Sequence, residues 1–372
     1  MVCKSLPDTF SGGIQTHTWL LSGALLKAGH SVSILTAGSF RQKLQRETVE
    51  GRKLIKLPFV PGRKLPVFKL TLEELFFNLA VRRWLKNNAH NYDLIHLQGR
   101  SGGLSPKAVL NNSVVTYHGL TAAEHMGKST WDQWLHGLLA ELLEKRPSRF
   151  ARGLIVVSEG LLTKLKIAFP QVSSPVKIIP NGVNEGLEGN KMVNRDELLF
   201  VGRLDPVKGI GVLMDAFPHF SPAIKLKIIG DGPELPKIEA LIKARGLDNR
   251  VELLGERNNA YVLEAMQTTL GLVLPSFMEA QGLVLLEASA NGRPAITSDL
   301  SGTKGVIIDG YNGLRFPMGD SKALAEAVNK LYADPAWADQ MGRNGREYVQ
   351  KHFSWSSVVA QTEQFYHQIL GV

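Results

Sequence analysis

Residues 270–292 read LGLVLPSFMEAQGLVLLEASANG, and the way this stretch folds decides the architecture around it. Leu270 to Leu274 is an unbroken apolar run closed by Pro275 and Ser276, the pattern of a parallel strand buried on both faces. A polar loop containing Gly282 follows. The run LVLLEASA, with Glu287 inside it, then carries a helix that Asn291-Gly292 stops. Strand, loop and helix in that order turn the helix amino end, at Gly282, Leu283 and Val284, toward the carboxyl edge of a sheet. Open α/β sheets bind ligands at that edge, and a helix amino end suits a phosphate. Two carboxylates flank it: Glu279 on the loop and Glu287, which the sequence places about two turns into the helix. Carboxylates accept hydrogen bonds from hydroxyls, so the set suits a ligand with both phosphate and sugar hydroxyls.

The chain has 372 residues, more than one hydrophobic core usually serves, so two domains are expected. An apolar fraction of 44% is ordinary for a globular protein. No apolar run approaches the roughly 20 residues that span a bilayer, and no signal peptide is read ahead of the first motif. Cys3 is the only cysteine, which excludes an intramolecular disulfide and a cysteine-built zinc site. No Asp-x-Asp, HExxH or P-loop is present, so no metal or cofactor is expected. These absences fit a cytoplasmic protein.

From the start, Met1 to Ser5 reads as a short first strand and Val32 to Thr36 as a second. Between them, Gly12 and Gly13 precede a helix with apolar Ile14, Leu20, Leu21, Ala24 and Leu25. A glycine pair there serves either as a simple turn or to let the backbone approach a phosphate. Buried strands are expected at Tyr92–Leu97, Ser113–Tyr117, Leu154–Val157 and Val176–Ile179, with a helical connection over Asp132–Phe150. His118 sits at a strand's carboxyl end, where imidazole could bond a sugar hydroxyl or hold charge near a reacting centre. His96 lies inside an apolar run and reads as core.

A polar stretch over 184–196 reads as a linker between a first domain (1–183) and a second (197–354). The second half restarts with ELLFVGRLDPVKGIGVLMDAF. Gly202, Arg203 and Lys208 follow a strand and precede a helix, and two cations beside a helix amino end can neutralise a diphosphate. Gly230-Asp231-Gly232 is not a dinucleotide fingerprint, because Leu235 stands where the third glycine would be.

PSFMEAQGLVLLEASANGRPAITSD, followed by GTKGVIIDGYNGLRF, resembles the donor-site signature of the retaining family 4 (group 1) glycosyltransferases. The resemblance covers nearly the whole chain, most strongly 176–320. It implies a GT-B fold, in which two doubly wound Rossmann-like α/β domains face across a cleft and the terminal helix (355–372) packs back on the first domain. It also implies metal-independent transfer of a hexose, with retention, from a nucleotide-diphosphate sugar (a UDP-sugar first, GDP-mannose next). The acceptor would be a hydroxyl of a glycan or lipid-linked molecule, as in polysaccharide biosynthesis. By the same resemblance Arg203 and Lys208 neutralise the diphosphate, Glu279 holds sugar hydroxyls and Glu287 holds the ribose. The Gly12-Gly13 loop and His118 line the active site. Ala280-Gln281 departs from the Gly-Phe usual after the first Glu and bears on the donor's identity.

The net charge of +9 is uneven: residues 41–86 hold twelve Lys or Arg against four Glu, with Phe68, Phe76, Phe77 and Trp84 among them. This is either a solvated face whose aromatics pack on the sheet, or a surface for an anionic membrane at its inner face or an acidic acceptor. No nucleic-acid motif accompanies it. Two other classes share these residues. A GT-B epimerase would turn over donor without acceptor, and a non-catalytic GT-B binding protein would not turn it over at all.

Overall fold

The computed structural model describes residues 1–7, 12–62, 67–121, 131–187 and 194–371. Among the positions marked in the sequence, Arg63, Lys64, residues 188–193 of the expected linker, the loop residues 8–11 and Val372 lie outside these. The chain divides into two compact units, Met1–Gly182 with Trp355–Val372, and Val183–Ser354.

The first unit contains strands β1 (Ser33–Gly38), β2 (Gln45–Val49), β3 (Arg52–Pro58), β4 (Ile95–Gln98), β5 (Ser113–Tyr117), β6 (Gly153–Val156) and β7 (Val176–Ile178). β3 runs parallel to β1, with β2 antiparallel on its far side, while β4 to β7 pair parallel in chain order. The first residues join the two groups. Val2 bridges both Leu35 of β1 and Leu97 of β4, its N–H donating to the His96 carbonyl at 2.8 Å. A very short segment holds the middle of a sheet because both neighbours bond it, whereas an edge position would give it one partner.

The hairpin of β2 and β3, turning at Glu50 and Gly51, is the element the sequence concealed. Its strands carry many of the cations that read as a charged surface, yet Arg52 points inward. The Arg52 guanidinium lies 4.0 Å from the Trp19 ring centre and donates to Ser22 Oγ at 2.8 Å. The basic stretch is therefore split between this hairpin and the helix Lys69–Asn88, where Phe77 is buried. The helix Trp355–Leu370 belongs to this unit: Val358, Phe365 and Ile369 enter the core that Leu21 and Leu25 share.

The second unit is a six-stranded parallel sheet of β8 (Asn194–Val201), β9 (Lys225–Ile229), β10 (Val251–Gly255), β11 (Thr269–Leu274), β12 (Ala295–Ser298) and β13 (Gly313–Phe316). β8 begins at Asn194, which pairs with Thr269, so the last residues expected as linker are strand. The spatial order is β10-β9-β8-β11-β12-β13; counted from β8 it is 3-2-1-4-5-6, the Rossmann order. The order reverses between β8 and β11. Ligands of such sheets bind outside the carboxyl ends of the strands at that reversal, which here means the loops carrying Gly202–Lys208 and Pro275–Gly282.

Candidate active site

The two loops at the reversal are laced together. After β8, Asp205 caps the short turn Pro206–Lys208 by accepting from the Lys208 amide at 3.1 Å. The Phe277 amide of the second loop donates to the Val207 carbonyl at 2.8 Å. Between them Gly209 has φ 67°, and a Cβ there would lie 1.9 Å from the Pro275 carbonyl oxygen. No side chain fits without separating the loops. Gly209→Ala is expected to cost about 2–4 kcal/mol of stability, read as a lowered urea midpoint. A midpoint unchanged from wild type would contradict this account of the loops.

That lacing sets Lys208 on Glu279. Lys208 Nζ lies 2.6 Å from Glu279 Oε1, with the lysine side chain 29% and the carboxylate 9% exposed. Ser276 Oγ donates to the same oxygen at 2.8 Å. A charge-assisted bond this short in a half-buried setting is strong, and both groups reach it from opposite loops. Glu279 Oε2 has no hydrogen-bond partner among the described residues, which leaves an acceptor oxygen directed by a fixed one. Arg203 behaves differently. Its side chain is 71% exposed, with Asp205 at 3.4 Å as its ion-pair partner.

The helix Leu283–Ala290 starts where the sequence placed it. Gly282 caps it with φ 80° and no side-chain bond to the first amides, so these N–H groups face the loop without a protein cap. A Cβ on Gly282 would come within 2.8 Å of Leu285 Cδ1, so glycine keeps the helix start bare. Glu287 is the fifth helical residue, a little over one turn from the amino end rather than about two. It is half-buried, and its carboxylate makes no hydrogen bond or ion pair among the described residues. Burial pushes its pKa from 4.5 up to about 7. A carboxylate left unpaired at such a cost is unusual in a structural role and usual at a binding site.

The first unit gathers its own group at the carboxyl edge of its sheet. Gly12, extended at φ −168°, caps the helix Gly13–Lys27 without a side-chain bond. His118, just past β5, bonds Gln98 Oε1 at 2.9 Å through Nε2 and stacks edge-on against His17 at 4.6 Å between ring centres. Burial lowers the His118 pKa to about 4, and the neighbouring Asn181 opposes that shift. The ring is neutral at pH 7, so of the two roles open in the sequence, holding charge is removed and hydrogen bonding remains. His96, by contrast, is saturated, bonding Tyr366 Oη and Thr116 Oγ1 at 2.6 Å each.

Sequence reasoning missed Ser276, Gln98 and His17. Neither nitrogen of the buried His17 has a hydrogen-bond partner among the described residues. Its signal was present, since it sits one helical turn beyond Gly13 on the same helix face as the glycine loop. Among the described residues no group of three or more His, Cys, Asp or Glu is placed to hold a metal ion.

Two family models match the chain in succession, Glycosyltransferase Family 4 over residues 11–187 and Glycosyl transferases group 1 over residues 188–348. The chain belongs to the group 1, family 4 glycosyltransferases. The enzyme is 29% identical to the phosphatidyl-myo-inositol mannosyltransferase of Mycobacterium leprae, covering 99% of this chain and 96% of that one. It is 25% identical to glycogen synthase of Mycobacterium tuberculosis, over 98% and 93% of the two chains. Among solved structures it resembles sucrose-phosphate synthase from Thermosynechococcus elongatus, with a TM-score of 0.82, 28% identity and coverage of 97% and 94%. The glycosyltransferase thus has the GT-B fold and transfers a sugar from a nucleotide sugar. Its second unit brings Lys208, Glu279, Glu287 and the bare helix end to the strand-order reversal.

Proposed function

We propose that the enzyme moves a hexose, with retention and without a metal, from a UDP-sugar, or next GDP-mannose, to a hydroxyl of a glycan or lipid-linked acceptor in the cytoplasm. The observation that carries the donor half is the convergence of Lys208, Glu279, the uncapped helix start and unpaired Glu287 at the strand-order reversal. Lys208, Arg203 and the amides of Gly282, Leu283 and Val284 are assigned to the diphosphate. Gly202 and the Gly12-Gly13 pair let backbone approach the donor. Glu279 is assigned to the sugar hydroxyls through Oε2, Glu287 to the ribose hydroxyls, and neutral His118 to a hydroxyl of the transferred sugar.

The chemical problem is charge. Breaking the glycosidic bond leaves a nucleotide diphosphate and an oxocarbenium-like carbon. Fixed cations and helix amides stabilise the first most as its charge builds. A departing phosphate oxygen can itself take the acceptor's proton, so no dedicated base is assigned. The test is incubation of the purified enzyme with each nucleotide sugar and a panel of glycan and lipid acceptors, with and without EDTA. NMR of the product should show the donor's own anomeric configuration and no loss of rate with chelator. Inversion at the anomeric carbon or abolition of activity by EDTA would overturn the mechanism. Free nucleotide with an epimerised sugar and no acceptor consumed would replace transfer with epimerisation.

A further inference from the structure

The helix Trp131–Phe150 in the first unit carries a ridge that the transferase chemistry does not use. Besides Gln133, its exposed residues are Trp131, Trp134, Leu138, Leu142, Lys145 and Arg149, six positions at successive steps of three and four that stack on one helix face. Trp131 is 77% exposed and Trp134 51%, with their rings edge-on at 5.7 Å between centres. Large apolar side chains stand in water over three turns, and two cations follow on the same line. The ridge runs for ~27 Å at 1.5 Å per residue.

Two of the three acidic residues of this helix are turned elsewhere, and the third, Glu141, is half-buried beside Leu138 and Lys145. Asp132 caps the helix Lys69–Asn88, accepting from Thr71 Oγ1 at 2.7 Å and from the Leu70 amide at 3.3 Å. Glu144 is buried and accepts from the Thr121 amide at 2.9 Å. The capped helix adds exposed Leu70 beside the tryptophan end and exposes Arg82, Arg83 and Lys86 along its length. Apolar side chains thus point outward with cations beside them, and the Asp132 and Glu144 carboxylates are spent on internal bonds.

We propose that this ridge is a docking surface for an anionic lipid bilayer, entered by Trp131, Trp134, Leu138 and Leu142 and held by Lys145 and Arg149. A convex apolar line of aromatic and aliphatic side chains, ending in cations, matches a helix lying in the plane of a membrane interface. Each buried methylene adds favourable transfer energy, and each cation adds attraction to anionic headgroups. A protein partner would need a groove for the ridge and acidic groups at one end of it. No described helix is long and apolar enough to cross a membrane, so the association is peripheral. It places the first unit against lipid independently of which sugar is transferred. Of the basic stretch 41–86, for which a solvated face and an anionic membrane were both open, the helix Lys69–Asn88 lies beside the ridge.

The test uses the full chain and vesicles of phosphatidylcholine alone or mixed equally with phosphatidylglycerol. The wild type should sediment with the mixed vesicles and not with phosphatidylcholine alone. The double variant Trp131→Ala/Trp134→Ala should bind at least about tenfold more weakly, and Lys145→Glu/Arg149→Glu should abolish binding to anionic vesicles. In the wild type, brominated lipids should quench part of the tryptophan emission, a readout that needs no variant to fold. Binding unchanged in a double variant of native melting temperature would overturn the proposal, and so would the absence of vesicle binding or of quenching. A dimer in sedimentation velocity that the double variant loses, without vesicle binding, would reassign the ridge to contact between copies of this chain.

Discussion

Lys208→Ala is expected to lower kcat by about a hundredfold to a thousandfold, the range seen when one preorganised charge-stabilising donor is removed from a developing anion. The lysine ammonium sits 2.6 Å from Glu279 and is held there by loops that Gly209 and the Phe277–Val207 bond lock together. Charge on the leaving diphosphate grows toward the transition state, so kcat should fall much more than donor affinity. Stability should change little. The pair is partly exposed at the lysine, and Ser276 stays bonded to Glu279, so the loss is put at under about 2 kcal/mol. Steady-state kinetics beside a thermal melt separate the two effects. A kcat within about threefold of wild type, in a protein melting normally, would remove Lys208 from the chemistry. Lys208→Arg restores charge but brings a planar fork in place of a point charge, so only partial recovery is expected.

The second large effect is a pH dependence of donor binding that originates at Glu287. With burial holding its pKa at about 7, the free enzyme keeps this carboxyl mostly protonated in mildly acidic solution. A ribose hydroxyl donates best to the ionised form, so binding must first remove the proton. Affinity for the nucleotide sugar should rise with pH, by up to about tenfold per unit below 7, and level off above it. In Glu287→Gln the affinity should be lower by about tenfold to a hundredfold at pH 8 and flat from pH 5 to 8. A sugar nucleotide is the proper probe, because its diphosphate has no free terminal phosphate to titrate in that range. Stability carries the opposite sign. Below pH 4.5 the carboxyl is protonated in both folded and unfolded chains, and on raising the pH the unfolded chain ionises first. This group's contribution to stability is therefore lost as pH climbs from 4.5 through about 7, and Glu287→Gln should abolish that loss. An affinity that falls with rising pH, or a variant as pH-dependent as wild type, would contradict the assignment.

Much of this was legible in the chain for a physical reason. Strands buried on both faces have to be continuously apolar, so LGLVL and SVVTY announce themselves. A helix start at a sheet edge needs a glycine where the backbone turns left-handed, as Gly282 does. The cations and carboxylates of the second unit lie within a few residues of such punctuation. What stayed hidden depends on contacts distant in sequence. β2 is polar and exposed, and charged residues interrupt the apolar ones of β3, so periodicity did not mark the hairpin, and Arg52 reads as surface until Trp19 and Ser22 enclose it. Residues 1–5 read as no more than a short strand because the partners that hold them, β1 and β4, stand 33 and 95 residues away in sequence (Val2 with Leu35 and with Leu97). The neutrality of His118 follows from burial that no local pattern encodes, and the partnerless His17 beside it is visible only once helix and strand are packed. The ridge at Trp131 was passed over as a helical connection, because two tryptophans at helical spacing normally face a core.

The measurement closest to the central claim is a calorimetric titration of the wild type and Glu287→Ala with UDP, GDP and ADP and their sugars at pH 8. One nucleotide series should bind the wild type, and its affinity should fall by at least about tenfold in the variant. At about 100 times the dissociation constant that ligand should also add roughly 2.7 kcal/mol to the stability of the wild type. Equal binding by both proteins would move the ribose away from Glu287. No binding by a folded wild type to any of the series would contradict donor recognition in the second unit altogether.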